Sequence, residues 1–211
     1  MQRAFSIFRS ATQCILATET PEHRASTPIF TIGHGNRSQD EFLRLLASAG
    51  IRRLVDVRAF PGSRRHPQFG RAALETSLPD GGIEYLWEGE ALGGRRRARP
   101  DSPHVALRNA SFRAYADHMQ TEPFHAGVER LIELSTHGPI AIMCAERLPW
   151  QCHRYMISDY LVALGIDVRH LIDQTQPREH RLRTEARVSP GGLIYDAYAQ
   201  GTLDMRSDTD E

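Results

Sequence analysis

The sequence contains no lysine, so all 26 of its basic residues are arginine. Acidic residues also number 26, and the formal net charge is zero at pH 7. A chain without excess positive charge is not held to nucleic acid by bulk charge alone. Arginine does bind phosphate and carboxylate through a planar, bidentate group that lysine lacks. The composition therefore excludes a broadly cationic binding protein but leaves room for local arginine sites.

Cysteine is scarce as well, with three residues, Cys14, Cys144 and Cys152. Three thiols cannot build a disulfide scaffold, and they stay free in a reducing compartment. No apolar run approaches the length of a membrane span. The first residues are too interrupted by arginine and polar side chains to form the core of a signal peptide. We therefore expect a soluble, cytoplasmic protein without a membrane partner.

Short apolar runs alternate with helical patterns along most of the chain. The runs predict buried strands at residues 28–33, 52–58, 82–87, 139–144 and 166–172. The patterns predict a helix from Ser38 to Gly50, one ending near Leu78, two between residues 112 and 134, and one containing residues 156–164. This alternation predicts an α/β fold, with a mostly parallel sheet of about five strands and helices on both faces.

We expect a single α/β domain over residues 27–200. Residues 1–26 show no sustained period and predict a flexible extension, whereas the acidic residues 201–211 predict a disordered tail. The segment 187–196 predicts a small hairpin. Residues 88–110 are rich in glycine, arginine and proline, which is typical of either a functional loop or a disordered one.

Polar and charged residues gather just after the predicted strands, while the strand interiors are apolar. Ligands of open parallel sheets bind at the carboxyl ends of the strands, so this edge is where a site is expected. The candidate residues are His34, Asn36, Arg37, Asp56, Arg58, Arg64, Arg65, Phe69, Cys144, Glu146, Trp150, Gln151, Cys152, His153 and Arg154.

Two carboxylates stand out among these candidates because a buried carboxylate is costly unless it is paired or used. Asp56 and Glu146 are candidate catalytic groups, one as a general base and the other as a stabiliser of positive charge. The alternative is that Arg58 and Arg154 pair with them and hold the loops in place.

The cysteines also allow two interpretations. Cys152 and His153 stand where a helix is predicted to begin, and unpaired amides at that place favour an anion or a thiolate. Alternatively, Cys144 and Cys152 are small, buried and inert. Their spacing with Glu146 and His153 matches no zinc pattern, so we expect neither a metal nor another cofactor.

Two arginine-rich segments, residues 63–71 and 93–101, are suited to holding phosphates. Phe69, Trp87 and Trp150 are candidate surfaces on which a base can stack. Solvated surface is the alternative for both segments. The nearness of two such segments to one edge of the sheet favours nucleic acid, most concretely DNA, or a nucleotide as the partner.

Five segments occur in the order "FTIGHGNRSQDEF", "LVDVRAFPGSRRHPQF", "ALGGRRRARPDSP", "RNASFRAYADHMQT" and "CAERLPWQCHR". Together they resemble the domain-of-unknown-function 488 family of bacterial proteins over about residues 28–175. The order of a strand "LVDVR", a strand ending in cysteine, a helix and a further strand is also similar to the rhodanese-like fold. That resemblance implies a sulfur-carrying nucleophile at Cys144. Glu146 departs from the rhodanese pattern, because its charge would repel an anionic substrate.

Arginine loops, aromatic residues and carboxylates together favour an enzyme acting on a nucleic-acid base or nucleotide, most concretely a DNA glycosylase-like N-glycosidic hydrolase. Asp56 or Glu146 would position water or stabilise an oxocarbenium ion. The residues expected to read the base are His34, Asn36 and Gln151, and those expected to hold phosphates are Arg58, Arg64, Arg65 and Arg154. Arg37 and His153 are further candidates for substrate binding.

Two alternatives remain open from the sequence. The first is a rhodanese-like cysteine-dependent sulfurtransferase or phosphatase, with Cys144 or Cys152 as the nucleophile. The second is a non-catalytic module that binds an anion or a nucleotide at the same edge of the sheet.

Overall fold

The computed structural model describes residues 27–62 and 64–196 of the chain. The predicted extension at residues 1–26 and the predicted tail at residues 201–211 lie outside this part. None of the helices in the described ranges has the length and apolar composition needed to cross a membrane.

A six-stranded sheet forms the centre of the described structure, with the strand order β3-β2-β4-β1-β5-β6. Its strands are β1 (Ile29–Gly33), β2 (Arg53–Asp56), β3 (Glu84–Trp87), β4 (Ile140–Cys144), β5 (Val168–Leu171) and β6 (Arg178–Glu179). All pairings from β3 to β5 are parallel, and β6 pairs with β5 in the antiparallel direction. A separate hairpin joins β7 (Ala186–Ser189) to β8 (Gly192–Tyr195).

Helices cover both faces of the sheet. They are α1 (Gln39–Ser48), α2 (Arg71–Ser77), α3 (Gly89–Leu92), α4 (Ala110–His118), α5 (Glu122–Thr136) and α6 (Arg154–Ala163). Successive strand residues point to opposite faces, so Ile29 joins the core beneath α4, α5 and α6, whereas Phe30 joins the core beneath α1 and α2. The amphipathic helices of the sequence thus bury one stripe each against an apolar strand face.

The predicted α/β fold and the C-terminal hairpin are confirmed. The sheet has one strand more than the five predicted, because the short edge strand β6 consists of two polar residues and carries no hydrophobic pattern. Ser38 caps α1 as expected, since its hydroxyl accepts a hydrogen bond from the Glu41 amide at 3.1 Å. Each of the five predicted strands begins one or two residues later than predicted, and none extends beyond its predicted range.

Residues 88–110 are not disordered but folded onto the body of the protein. Helix α3 lies within this segment, and its Leu92 is fully buried. The Tyr115 hydroxyl donates a hydrogen bond to the Leu92 carbonyl at 2.8 Å, and Arg96 Nε donates one to the Gly93 carbonyl at 2.8 Å. These bonds fix the glycine pair Gly93–Gly94 at the carboxyl edge of the sheet.

The parallel register brings three strand ends together at this edge. Gly33 at the end of β1 stands beside Cys144 at the end of β4, and Asp56 at the end of β2 stands beside Met143. The segments that follow these three strands are therefore neighbours, although they are far apart in the sequence.

Candidate active site

A cleft of ≈ 280 Å³ opens at the carboxyl ends of β2 and β4. Its walls come from the segment after β2, the segment after α3, the start of α4 and the loop that joins β4 to α6. The lining residues used below are Arg58, Phe60, Arg95, Cys144, Glu146, Gln151, Cys152 and His153. The cleft therefore lies where the pattern of strand ends predicted a site.

Cys144, Cys152 and His153 form a compact group in the wall of the cleft. Cys144 Sγ lies 3.8 Å from His153 Nδ1. The two sulfurs and this nitrogen all lie within 4.8 Å of one another. Both cysteines are free, with 5% of Cys144 and 6% of Cys152 exposed. The sequence placed the two thiols on opposite sides of a loop, and the fold brings them together.

The imidazole of His153 is oriented by the backbone. Its Nε2 lies 2.9 Å from the Val57 carbonyl, and because a carbonyl only accepts, Nε2 carries the proton. In the neutral ring the lone pair of Nδ1 then faces the two sulfurs. This is the arrangement that a base needs to accept a proton from a thiol.

The two thiols differ sharply in acidity. A hydrogen bond from the Cys152 thiol, with nearby His153 and Arg154, holds the pKa of Cys144 well below its usual value, although burial opposes this. Burial raises the pKa of Cys152 well above its usual value, and the hydrogen bond to Cys144 and the charge of Cys144 add to the rise. These directions favour Cys144 over Cys152 as the thiolate of the pair.

Two glycines leave room for this group. A Cβ at Gly94 would lie 2.5 Å from His153 Nδ1, so a side chain there would displace the imidazole. A Cβ at Gly33 would lie 1.7 Å from the Glu146 carbonyl oxygen. The sequence analysis did not single out Gly94, and the signal available for it was the glycine pair in "ALGGRR".

Asp56 is fully buried, and its carboxylate binds the Arg58 guanidinium. Arg58 Nε lies 2.8 Å from Oδ1 and Nη2 lies 2.5 Å from Oδ2, and the Tyr85 hydroxyl donates to Oδ2 at 2.7 Å. Burial and the neighbouring Asp56 raise the pKa of Tyr85, so the phenol stays protonated as the donor. In the described structure Asp56 positions Arg58, and none of its surface reaches the cleft; its catalytic role stays a prediction.

His34 and Phe69 also support Arg58, whose Nη2 donates a hydrogen bond to the Phe69 carbonyl at 2.8 Å. The His34 ring stacks on Phe69 with centroids 4.6 Å apart, and both side chains are buried. His34 Nδ1 donates to the Gly35 carbonyl at 2.9 Å, so Nε2 can accept from Arg58 Nη1 at 3.4 Å. Burial lowers the pKa of His34 to about 4. Base reading by His34 and base stacking on Phe69 stay predictions, although both side chains are buried in the described structure.

Arg37 and Arg154 are buried, and their guanidinium groups bind backbone carbonyls. Arg37 donates to the carbonyls of Gly33 and Ile172, which ties the end of β1 to the end of β5. Arg154 donates to the carbonyls of Glu146 at 2.7 Å and Arg147 at 2.9 Å. Both are almost completely buried. In the described structure both guanidinium groups hold backbone carbonyls of loops; substrate binding by Arg37 and phosphate binding by Arg154 stay predictions.

The remaining candidates are spread over the surface. Glu146 and Gln151 are exposed and line the cleft with Arg58. Asn36, Arg64 and Arg65 are exposed but are not among its lining residues. Trp150 lies in a second cleft with Tyr155 and Arg178, so it does not face the cysteines. Trp87 is half-buried, and its Nε1 donates to the Arg58 carbonyl at 2.9 Å.

Within the described residues, Cys144, Cys152 and His153 are the group whose ligand atoms lie close enough to hold a metal ion. Two thiols and one imidazole suit a zinc-like ion. Glu146, which the sequence analysis considered with them, is not in this group. The expectation that no metal is bound stays a prediction that metal analysis can test.

Comparison with known proteins places this geometry in a family. No curated protein and no solved structure matches the chain. A family model described as Domain of unknown function DUF488 matches residues 38–161, which is more than half of the 211 residues. The matched region contains β2, the loop with Gly94, and the cysteine–histidine group. The chain therefore belongs to the family of domain of unknown function DUF488.

Proposed function

We propose that the chain is a cysteine-dependent enzyme in which Cys144 is the nucleophile, most concretely a sulfurtransferase. The observation that carries the proposal is the position of Cys144 Sγ in the cleft wall, 3.8 Å from His153 Nδ1. The Val57 carbonyl fixes the ring so that the unprotonated nitrogen faces the sulfur. A thiol beside an oriented imidazole is the usual way in which proteins activate cysteine.

The proposed reaction moves one sulfur atom. The Cys144 thiolate attacks the outer sulfur of a donor such as thiosulfate, the sulfur–sulfur bond of the donor breaks, and sulfite leaves with the bonding electrons. The product is a persulfide on Cys144. A nucleophilic acceptor such as cyanide then takes the outer sulfur, which gives thiocyanate and regenerates the Cys144 thiolate.

Sulfur transfer agrees with the arginine contacts better than phosphate chemistry does. A cysteine phosphatase needs a guanidinium that grips the phosphoryl oxygens. Arg154, the arginine that starts the helix after the cysteine loop, already gives two hydrogen bonds to the Glu146 and Arg147 carbonyls. Arg58 is engaged by Asp56. A thiolate that attacks sulfur needs less charge compensation than one that attacks phosphate.

The charge of the cleft favours a small donor. Arg95 and Glu146 are both exposed and line the cleft, so its wall carries both signs. The charge of Arg58 is balanced by Asp56 at 2.5 Å. A large polyanion would therefore gain little there, whereas a compact donor can approach Arg95 and stay clear of Glu146.

Thiocyanate formation from thiosulfate and cyanide tests the proposal. We expect the purified chain to form thiocyanate, and Cys144→Ser to lower the rate by on the order of a thousandfold or more. Cys14→Ser, which removes the cysteine outside the described residues, is the matched control and should keep the rate. Retention of the rate by Cys144→Ser would show that the nucleophile is assigned wrongly.

Metal content gives an independent check on the same proposal. A zinc ion held by Cys144, Cys152 and His153 would occupy the nucleophile. We expect elemental analysis to find no stoichiometric metal in protein purified without chelator. One zinc ion per chain, together with protected thiols, would contradict the proposal.

The predicted base-excising hydrolase remains the second candidate, and one observation favours it. Glu146 and Gln151 share the cleft with Phe60, which is 70% exposed and lies under the Arg95 guanidinium at 5.5 Å. An exposed ring beside a carboxylate suits a flipped base. Under this candidate, Glu146→Gln abolishes the release of modified bases from oligonucleotides, as measured by mass spectrometry, and Cys144→Ser does not.

A further inference from the structure

We infer that Cys152 is a resolving thiol, which attacks Sγ of Cys144 once that sulfur carries a group, closes a Cys144–Cys152 disulfide and expels the group as a thiol. The inference deepens the proposed function and rests on it, since it requires Cys144 to be the first nucleophile. It extends the substrates of the site to small disulfides and persulfides.

The positions of the two sulfurs support this step. They lie within 4.8 Å of each other, and a disulfide needs a separation of about 2 Å. Cys152 precedes α6 in an extended conformation, with φ −141° and ψ 168°, so it is not part of the helix. Rotation about the Cα–Cβ bond of either cysteine changes the distance between the sulfurs.

The electrostatics of the pair set the order of events. While Cys144 is a thiolate, its charge and its hydrogen bond help to keep Cys152 protonated. When Cys144 becomes part of a neutral disulfide or persulfide, that charge is gone. Once the leaving group has taken the proton that His153 accepted from Cys144, the imidazole can accept the proton of Cys152, since one of its nitrogens lies within 4.8 Å of both sulfurs. One imidazole thus serves the two thiols in succession.

The step balances without a further oxidant, because the substrate disulfide accepts the two electrons. Cys144 first gives its proton to His153 and attacks a disulfide R–S–S–R. One R–S leaves with that proton as a thiol, which leaves the other R–S on Cys144 and His153 neutral. Cys152 then loses its proton to His153 and attacks Cys144 Sγ. The bond from Cys144 to R–S breaks, and R–S leaves with the proton from His153. Two equivalents of a low-molecular-weight thiol return the protein to the dithiol and become a disulfide.

The environment of the pair fits a disulfide that forms only during turnover. Arg154 holds the loop between the cysteines, because it donates hydrogen bonds to two of the loop's backbone carbonyls. The sulfurs can therefore meet without unfolding of the loop. In a reducing compartment such a disulfide is transient, which agrees with the free cysteines of the structure.

Reaction with the aryl disulfide dithiobis(nitrobenzoate), followed by intact-mass spectrometry, tests the inference. All variants carry Cys14→Ser, which removes the third thiol of the chain. With Cys144 and Cys152 present, we expect two equivalents of thionitrobenzoate per chain and a product that carries no aryl adduct and has lost two hydrogens. The Cys152→Ser variant should release one equivalent and keep one aryl group, on Cys144.

The remaining outcomes separate the inference from the proposed function. Stable aryl adducts on both cysteines, or no release before the protein unfolds, would overturn the resolving role. Cys152→Ala serves as a second variant, and circular dichroism shows whether each variant is folded. Failure of the nucleophile itself would show in the thiocyanate assay, where Cys144→Ser would then keep its activity whatever happens at Cys152.

Discussion

At the scale of single residues, burial decides which of the candidate side chains can meet a substrate. Asp56, His34 and Phe69 follow strand ends as catalytic or binding residues do, yet all three are buried around Arg58. The sequence shows that a residue stands near the edge of the sheet but not whether a neighbour covers it. Here the covering neighbours come from distant segments: His34 stacks on Phe69, and the Tyr85 hydroxyl donates a hydrogen bond to Asp56.

The Asp56→Asn variant tests this positioning role. Breaking a buried ion pair leaves an uncompensated charge, so we expect the free energy of unfolding to fall by about 3–5 kcal/mol in urea denaturation. Glu75→Gln is the control, because the Arg71–Glu75 pair is exposed and screened by solvent, so its loss should leave the free energy of unfolding nearly unchanged. Equal effects of the two substitutions would contradict the role of Asp56 in holding Arg58.

At the scale of elements, the unit that matters is β4, the loop 145–153 and α6. The sequence predicts the strand and the helix because their apolar residues follow regular periods. The two bonds of Arg154 to loop carbonyls were not predictable, since carbonyl acceptors are present at every residue and leave no signal in the sequence. The edge strand β6 escaped prediction for a similar reason, because its pairing depends on backbone bonds to β5.

Replacement of Arg154 by lysine should loosen this loop. Lysine keeps the charge but cannot donate to the two carbonyls as a planar guanidinium does. We expect faster amide hydrogen exchange in residues 145–153 and a thiocyanate rate lower by roughly tenfold or more, on the scale at which small misplacements impair catalysis. The matched control is Arg147→Lys, at an exposed residue, which should leave the hydrogen exchange and the thiocyanate rate unchanged. Unchanged exchange in Arg154→Lys would exclude a clamping role.

At the scale of the whole molecule, the fold was predictable because strands and helices alternate, and parallel topology then places the site at one edge of the sheet. What that edge does chemically was less predictable. The sequence analysis favoured two carboxylates, whereas the fold covers one of them and joins Cys144 to Cys152 and His153. Cys152 was predicted to stand where a helix begins, but it precedes α6 in extended conformation, and its sulfur lies near the His153 ring.

The stability of the whole molecule should depend on pH through its buried histidines. Burial lowers the pKa of His34 to about 4 and of His170 to about 3, and it also lowers the pKa values of His104 and His118. The unfolded chain therefore binds more protons than the folded one below about pH 6.5, so stability is full above that value and falls as the pH decreases.

Urea denaturation at two pH values measures this dependence. We expect the free energy of unfolding at pH 5.5 to be lower than at pH 7.5 by on the order of 2 kcal/mol, after allowance for solvent screening. The exposed His137, replaced by glutamine, should leave the difference unchanged, whereas His170→Gln should reduce it. Equal stability at both pH values would show that these histidines are not held neutral.

Whether Cys144 is an activated thiolate can be measured directly. The measurement is the rate at which iodoacetamide alkylates Cys144 as a function of pH. Peptide mass spectrometry separates Cys144 from Cys152 in the same sample. We predict that Cys144 is alkylated at pH 6.5, well below the ordinary thiol pKa of about 8.5, and that His153→Gln moves its reaction to higher pH. A Cys144 that reacts only above that pKa, or only after the protein unfolds, would contradict the account.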